Sequence, residues 1–114
     1  MIETTIYNYI KGKFPEIPVS METPSPMPDT FITIEKTGAQ YLGNGHLSAT
    51  FAIQSWAKRK ADAARLSDEV CRAMRDINTG PVIYAAGADY DFTDTTTKRY
   101  RYQAVFTVRY IEED

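Results

Sequence analysis

The sequence is poor in residues that staple, ligate or catalyse. Its one cysteine, Cys71, leaves no internal disulfide to form and gives no sign of an oxidising compartment. Its one histidine, His46, excludes a histidine metal cluster. No apolar run approaches the roughly 18 residues of a membrane span, and no signal-peptide pattern opens the chain, so a cytosolic protein without membrane contact is expected. An excess of one charge is missing too. Thirteen Lys and Arg against fifteen Asp and Glu leave a formal net charge of −2, which argues against a general nucleic-acid binder.

What is present suits a folded domain. Hydrophobic residues make up 43% and charged residues 25%, which excludes disorder. The length predicts a single domain over residues 1–114, able to bury roughly two-thirds of its unfolded surface. Charge is unevenly placed: residues 58–80 carry six basic and four acidic side chains, and both flanking parts are net acidic.

Periodicity gives the elements. Ile2, Ile6, Tyr9 and Ile10 share one face of a short helix that Gly12 and Pro15 end. Ile17, Val19 and Met21 alternate as a strand whose Pro18 is tolerated only at an edge. Pro24, Pro26 and Pro28 then impose an extended crossing segment. Residues 31–37 predict a strand and residues 38–46 a mobile loop around Asn44-Gly45. In the strand over residues 47–57, Leu47, Ala49, Phe51 and Ile53 share a face. A main helix over residues 59–77 carries the stripe Ala63, Leu66, Val70, Met74 and Ile77, and Asn78-Thr79-Gly80-Pro81 stops it. A second hairpin follows: a strand over 82–86, a polar turn over 89–97 and a long strand over 99–111. In that last strand Tyr100, Tyr102, Ala104, Phe106, Val108 and Tyr110 face one way. The order predicts an α+β fold: an antiparallel sheet of two hairpins plus an edge strand, with both helices on one face.

The chemical motifs are incomplete. Ser55-x-x-Lys58 and Lys36-Thr37-Gly38 match elements of penicillin-recognising enzymes, but in reversed order and without Ser-Asp-Asn. Asp89, Asp91 and Asp94 suggest calcium, yet Asp94 and Tyr100 stand where an EF-hand loop needs glycine and glutamate. Cys71 beside an apolar stripe reads as packed and inert, although sequence distance leaves a dyad with His46 open. Gly43-x-Gly45 lacks the third glycine of a dinucleotide loop. No base with an orienting partner is evident, so neither an enzyme nor a cofactor is expected.

Surface residues carry the remaining signal. Lys58, Arg59 and Lys60 at a helix start oppose its dipole at roughly 0.3–1 kcal/mol each unless offset. The Glu112, Glu113 and Asp114 tail of a neighbouring copy is one offset; solvation is the plain alternative. Trp56 with Lys58–Lys60 also admits a small nucleic-acid-binding module that stacks a base. Gly43, Asn44 and His46 in the glycine-rich turn complete the candidate contacts.

Three stretches carry a family resemblance: residues 28–34 (Pro-Asp-Thr-Phe-Ile-Thr-Ile), residues 51–57 running directly into residues 61–70, and Asp94-Thr95 before residues 99–103. Together with the short first helix, their order resembles the tail-completion proteins of long-tailed phages, namely tail terminators and head–tail joining proteins. The resemblance implies an α+β fold and a self-associated, typically hexameric ring at the head-proximal end of a virion tail. Assembly in the bacterial cytoplasm is also implied. So are a tail tube protein and a head-completion or connector protein as partners, and no specific nucleic acid.

Overall fold

Asn44 and Gly45 both take positive φ (55° and 77°), the geometry that lets a two-residue turn follow the right-handed strand twist. They close a hairpin of β2 (Phe31–Gly43) and β3 (His46–Ala57). The remaining elements are α1 (Ile2–Lys13), β1 (Val19–Ser20), α2 (Lys60–Arg75), β4 (Val82–Asp91) and β5 (Tyr100–Ile111). The computed structural model describes residues 1–78, 80–93 and 99–111, with Tyr84 described by its backbone alone. The fold is α+β.

The sheet has five strands in the order β1-β2-β3-β5-β4, all antiparallel except β1, which runs parallel to β2. The expected edge strand is thus present but parallel, and it has only two residues. Its crossover to β2 is the proline-rich segment. Met21, Glu22 and Thr23 line a cleft of about 240 Å³ with Thr33, Glu35, Ala52 and Gln54, so the segment lies against the helix-free face. Arg99 anchors its end by donating to the carbonyls of Met27, Pro28 and Asp29 (3.3, 2.6 and 3.2 Å). Prolines pre-stiffen this return path, which no helix supports.

Two sequence expectations are corrected. Residues 38–46 are not a loop: β2 continues to Gly43, with register irregularities at Lys36/Gly38 and Tyr41/Gly43 that absorb its extra residues. Local composition reads as loop, but pairing with β3, itself held along its whole length by β5, extends the strand. Likewise β4 runs on to Asp91 instead of ending near residue 86. Asp89 gains a partner on α2 there, the Ser67 hydroxyl donating to it at 2.7 Å.

The core lies between the sheet and its helices. Phe51 and Phe106 are opposite one another on β3 and β5 and are fully buried, as are Ile53 and Val108. Val70 and Met74 of α2 are fully buried in the same cluster, with Leu66 nearly so, as the helical stripe predicts. Each such side chain contributes about 1.5–3 kcal/mol by leaving water. Ile2, Ile6 and Ile10 of α1 join them, and Tyr9 ties the helices together by donating its hydroxyl to the Ala73 carbonyl at 2.6 Å. Asp62–Arg65 (3.3 Å) is the helical ion pair that forms among the described residues; Asp68–Arg72 and Arg72–Asp76, equally suited by spacing, do not.

Candidate functional site

The molecule is 46 Å long, and the strands run along it. β3 alone spans 12 residues, about 36 Å at the usual rise. One end is the Asn44-Gly45 turn, here the tip. The other, the base, gathers the start of β2 and the end of β3. The sequence-predicted contact residues divide between them: Gly43, Asn44 and His46 at the tip, and Trp56, Lys58, Arg59 and Lys60 at the base. Glu112, Glu113 and Asp114 lie outside the described residues, as does Asp94. Ile111, which precedes the acidic tail, pairs with His46 at the tip. The basic run and the start of the tail are therefore at opposite ends of one copy.

At the base, alternation puts Phe31, Trp56 and Arg101 in a row on the helix-free face. Phe31 stacks on Trp56 with centroids 5.0 Å apart. The Arg101 guanidinium lies 4.8 Å from the Trp56 ring and 4.6 Å from that of Phe92. The indole N–H donates to the Thr33 hydroxyl at 3.3 Å. Trp56 is consequently only 3% exposed, which corrects its reading as a surface contact or a base-stacking platform. A parallel polar row runs beside it: Gln54 donates to Gln103 (2.7 Å), which donates to the Tyr90 hydroxyl (2.5 Å).

The basic run is answered mostly within the chain. Lys58 pairs with Asp29 at 3.2 Å and Lys60 with Asp91 at 3.4 Å, while Arg59 is the N-cap residue of α2. A neighbour's tail is thus not needed to offset Lys58 and Lys60. Asp91 also accepts from the Thr93 hydroxyl (2.6 Å) and backbone N–H (3.0 Å). The Thr93 hydroxyl and then its N–H, with Lys60 adding, hold the Asp91 carboxyl below its ordinary range. With Asp89 engaged by Ser67, both described members of the aspartate cluster already serve structural contacts.

The catalytic candidates fare no better. Ser55 is fully buried, so Ser55 and the largely exposed Lys58 do not form a nucleophile–base pair. Cys71 is buried in the core, and burial first, then Asp89, pushes its thiol up to about 11. His46 alternates onto the opposite face of the sheet from the helices, which leaves no Cys–His dyad.

Sequence reasoning expected sheet edges as contact surfaces but did not show which strands stay open or over what length. From Thr37 to Leu42, β2 is exposed throughout, and β1 shields the strand only at Ile32 and Thr33. On the far side, no strand among the described residues pairs with the outer edge of β4. The exposed leucine and isoleucines among the described residues, Leu42, Ile83 and Ile111, all sit at the tip, with exposed Tyr41 beside them. The signal was Tyr41-Leu42 within a stretch that otherwise read as loop.

No protein-family model matches the chain, and no curated protein matches it in sequence.

Proposed function

We propose that this protein is a structural subunit of virion assembly: a self-associating ring at the head-proximal end of a phage tail, built in the bacterial cytoplasm, that ends tube growth or joins tail to head. One observation supports this reading above the others: the two ends of the molecule differ in chemistry. The tip presents Tyr41, Leu42, Ile83 and Ile111 to solvent, and exposed apolar groups gathered in one place mark protein contact surfaces. The base presents aromatic rather than aliphatic side chains, Tyr90, Phe92 and Tyr100, set among ion pairs and with Arg101 held between the Trp56 and Phe92 rings and donating to the Phe92 carbonyl. A terminator needs such polarity, binding a tube on one side while offering no equivalent surface for further tube growth on the other. The resemblance in segment order supplies the tail context, with the tail tube protein and a head-completion protein as neighbours.

Electron microscopy of particles from a phage lacking the gene tests the proposal. Heads should be normal, with tails of uncontrolled length or tails that fail to join heads. Infectious particles with tails of normal length would overturn it.

A further inference from the structure

The two sheet edges of one copy fit each other. Alternation of antiparallel hydrogen bonds fixes which backbone groups point outward. On β2 the Ile32 N–H donates outward to the Pro18 carbonyl at 2.9 Å, so Ile34 and Lys36 also present their N–H and C=O outward. Carrying the alternation through β3 past the bulge at Thr37 adds Ala39 and Tyr41. On β4, the Phe92 N–H donates to the Arg101 carbonyl at 2.9 Å, which leaves Ala85, Gly87, Asp89 and Asp91 presented outward.

These outward groups are in phase. The register Ala39–Ala49–Val108–Ala85 crosses the sheet at one level, and Lys36–Phe51–Phe106–Gly87 at another. β2 runs from base to tip and β4 from tip to base, so β4 of one copy meets β2 of a like-oriented copy in antiparallel fashion. Both edges lack charge over their tip halves, residues 37–43 and 82–88. Proteins ordinarily protect such edges with charge, proline or a covering segment.

We infer that β2 of one copy pairs antiparallel with β4 of the next, continuing the sheet from subunit to subunit, with Lys36 directly opposite the partner's Asp89. β1 selects this register. With the copies level, the partner's Asp91 would fall beside Ile32, a place that β1 already occupies. Sliding the partner two residues toward its tip, about 7 Å, preserves the hydrogen-bonding phase and brings Asp91, the last residue of β4, to Ile34, beyond the Ile32–Thr33 stretch that β1 covers. Lys36, which pairs with Glu3 at 3.2 Å within its own copy, then also faces the partner's Asp89, which accepts from Ser67 within its copy, on the same side of the sheet; Ala39 faces Gly87, and Tyr41 faces Ala85. Glycine at 87 is already required within the subunit, because a Cβ there would lie 2.0 Å from the Val105 carbonyl oxygen. A stagger at each junction tilts the strands, as closing a sheet on itself requires. The interface is heterologous, the kind that closes into rings.

This inference rests on the proposed ring, and cysteine cross-linking separates the two. Directly opposed residues of a hydrogen-bonded antiparallel pair lie about 5.5 Å apart at Cα, within disulfide range. Tyr41→Cys with Ala85→Cys should yield, on mild oxidation, a ladder of linked copies that stops at a closed species; either single variant should yield none. Ala39→Cys with Ala85→Cys, two residues out of step, should link poorly, and efficient linkage there would overturn the register. Ala39→Pro removes only an outward N–H, so it should convert the oligomer to monomer by light scattering with little change in melting temperature. Oligomers that resist Ala39→Pro and give no Tyr41–Ala85 ladder would overturn the edge pairing and leave the ring standing. A wild-type chain that stays monomeric would overturn both.

Discussion

Ser55 shows how little of the chemistry suggested by short motifs survives folding. Its hydroxyl is fully buried and without a hydrogen-bond partner, which costs about 1–3 kcal/mol. Ser55→Ala should therefore be neutral or stabilising by about 1 kcal/mol in urea titrations, and a clear loss would show that the hydroxyl is satisfied. Asp91 gives a pH test. Its folded pKa lies below the ordinary 3.8, so the folded state holds fewer protons than the unfolded one. Its stabilisation is complete above the unfolded value and is lost as pH falls through the folded value. Wild type should lose more stability than Asp91→Asn on acidification from about pH 5 to pH 2; parallel curves would remove Asp91 from the account. Neither contact was legible in the sequence. The Asp89–Ser67 and Asp91–Lys60 pairs depend on how α2 lies across β4, and the burial of Trp56 depends on strands contributed by distant segments.

At the scale of elements, regular periodicity was the reliable guide. The stripe on α2 predicted the buried Leu66, Val70 and Met74, and alternation predicted the inward faces of β3 and β5. Val70→Ala and Met74→Ala should each cost roughly 1–4 kcal/mol through lost burial and a residual cavity. Arg65→Ala and Arg72→Ala, on the exposed side, should stay within about 0.5 kcal/mol of wild type. Equal losses in both sets would contradict the packing of α2. Strand length was the weak point. β2 beyond Lys36 has glycines and exposure on both faces, so no apolar alternation announces it; only its ladder with β3 makes it a strand. β1 was announced by alternation, but its parallel direction follows from the crossover and has no local signature.

The whole molecule is a long sheet with contrasting ends and open flanks, and amide exchange can read its outline directly. Along β2, the Gln40 amide bonds inward to β3 while the Ala39 amide points outward. In dilute monomer Gln40 should exchange much more slowly than Ala39, and assembly should slow Ala39 selectively. Equal exchange at the two positions in the monomer would mean that the outer half of the hairpin is not a strand. The fold class was legible in the order of the segments. The separation of the basic run from the start of the acidic tail was not, because it depends on which strand ends lie together. The order β1-β2-β3-β5-β4 also bears on timing during synthesis. β5 is the last element of this domain to leave the ribosome, yet it occupies the middle of the sheet, and Arg99 just before it clasps the segment that leads into β2. Until β5 emerges, β3 and β4 have no common neighbour and the proline-rich crossover lacks its Arg99 clasp. A nascent chain cannot present two finished edges, so the edge pairing proposed above would be open only to completed copies.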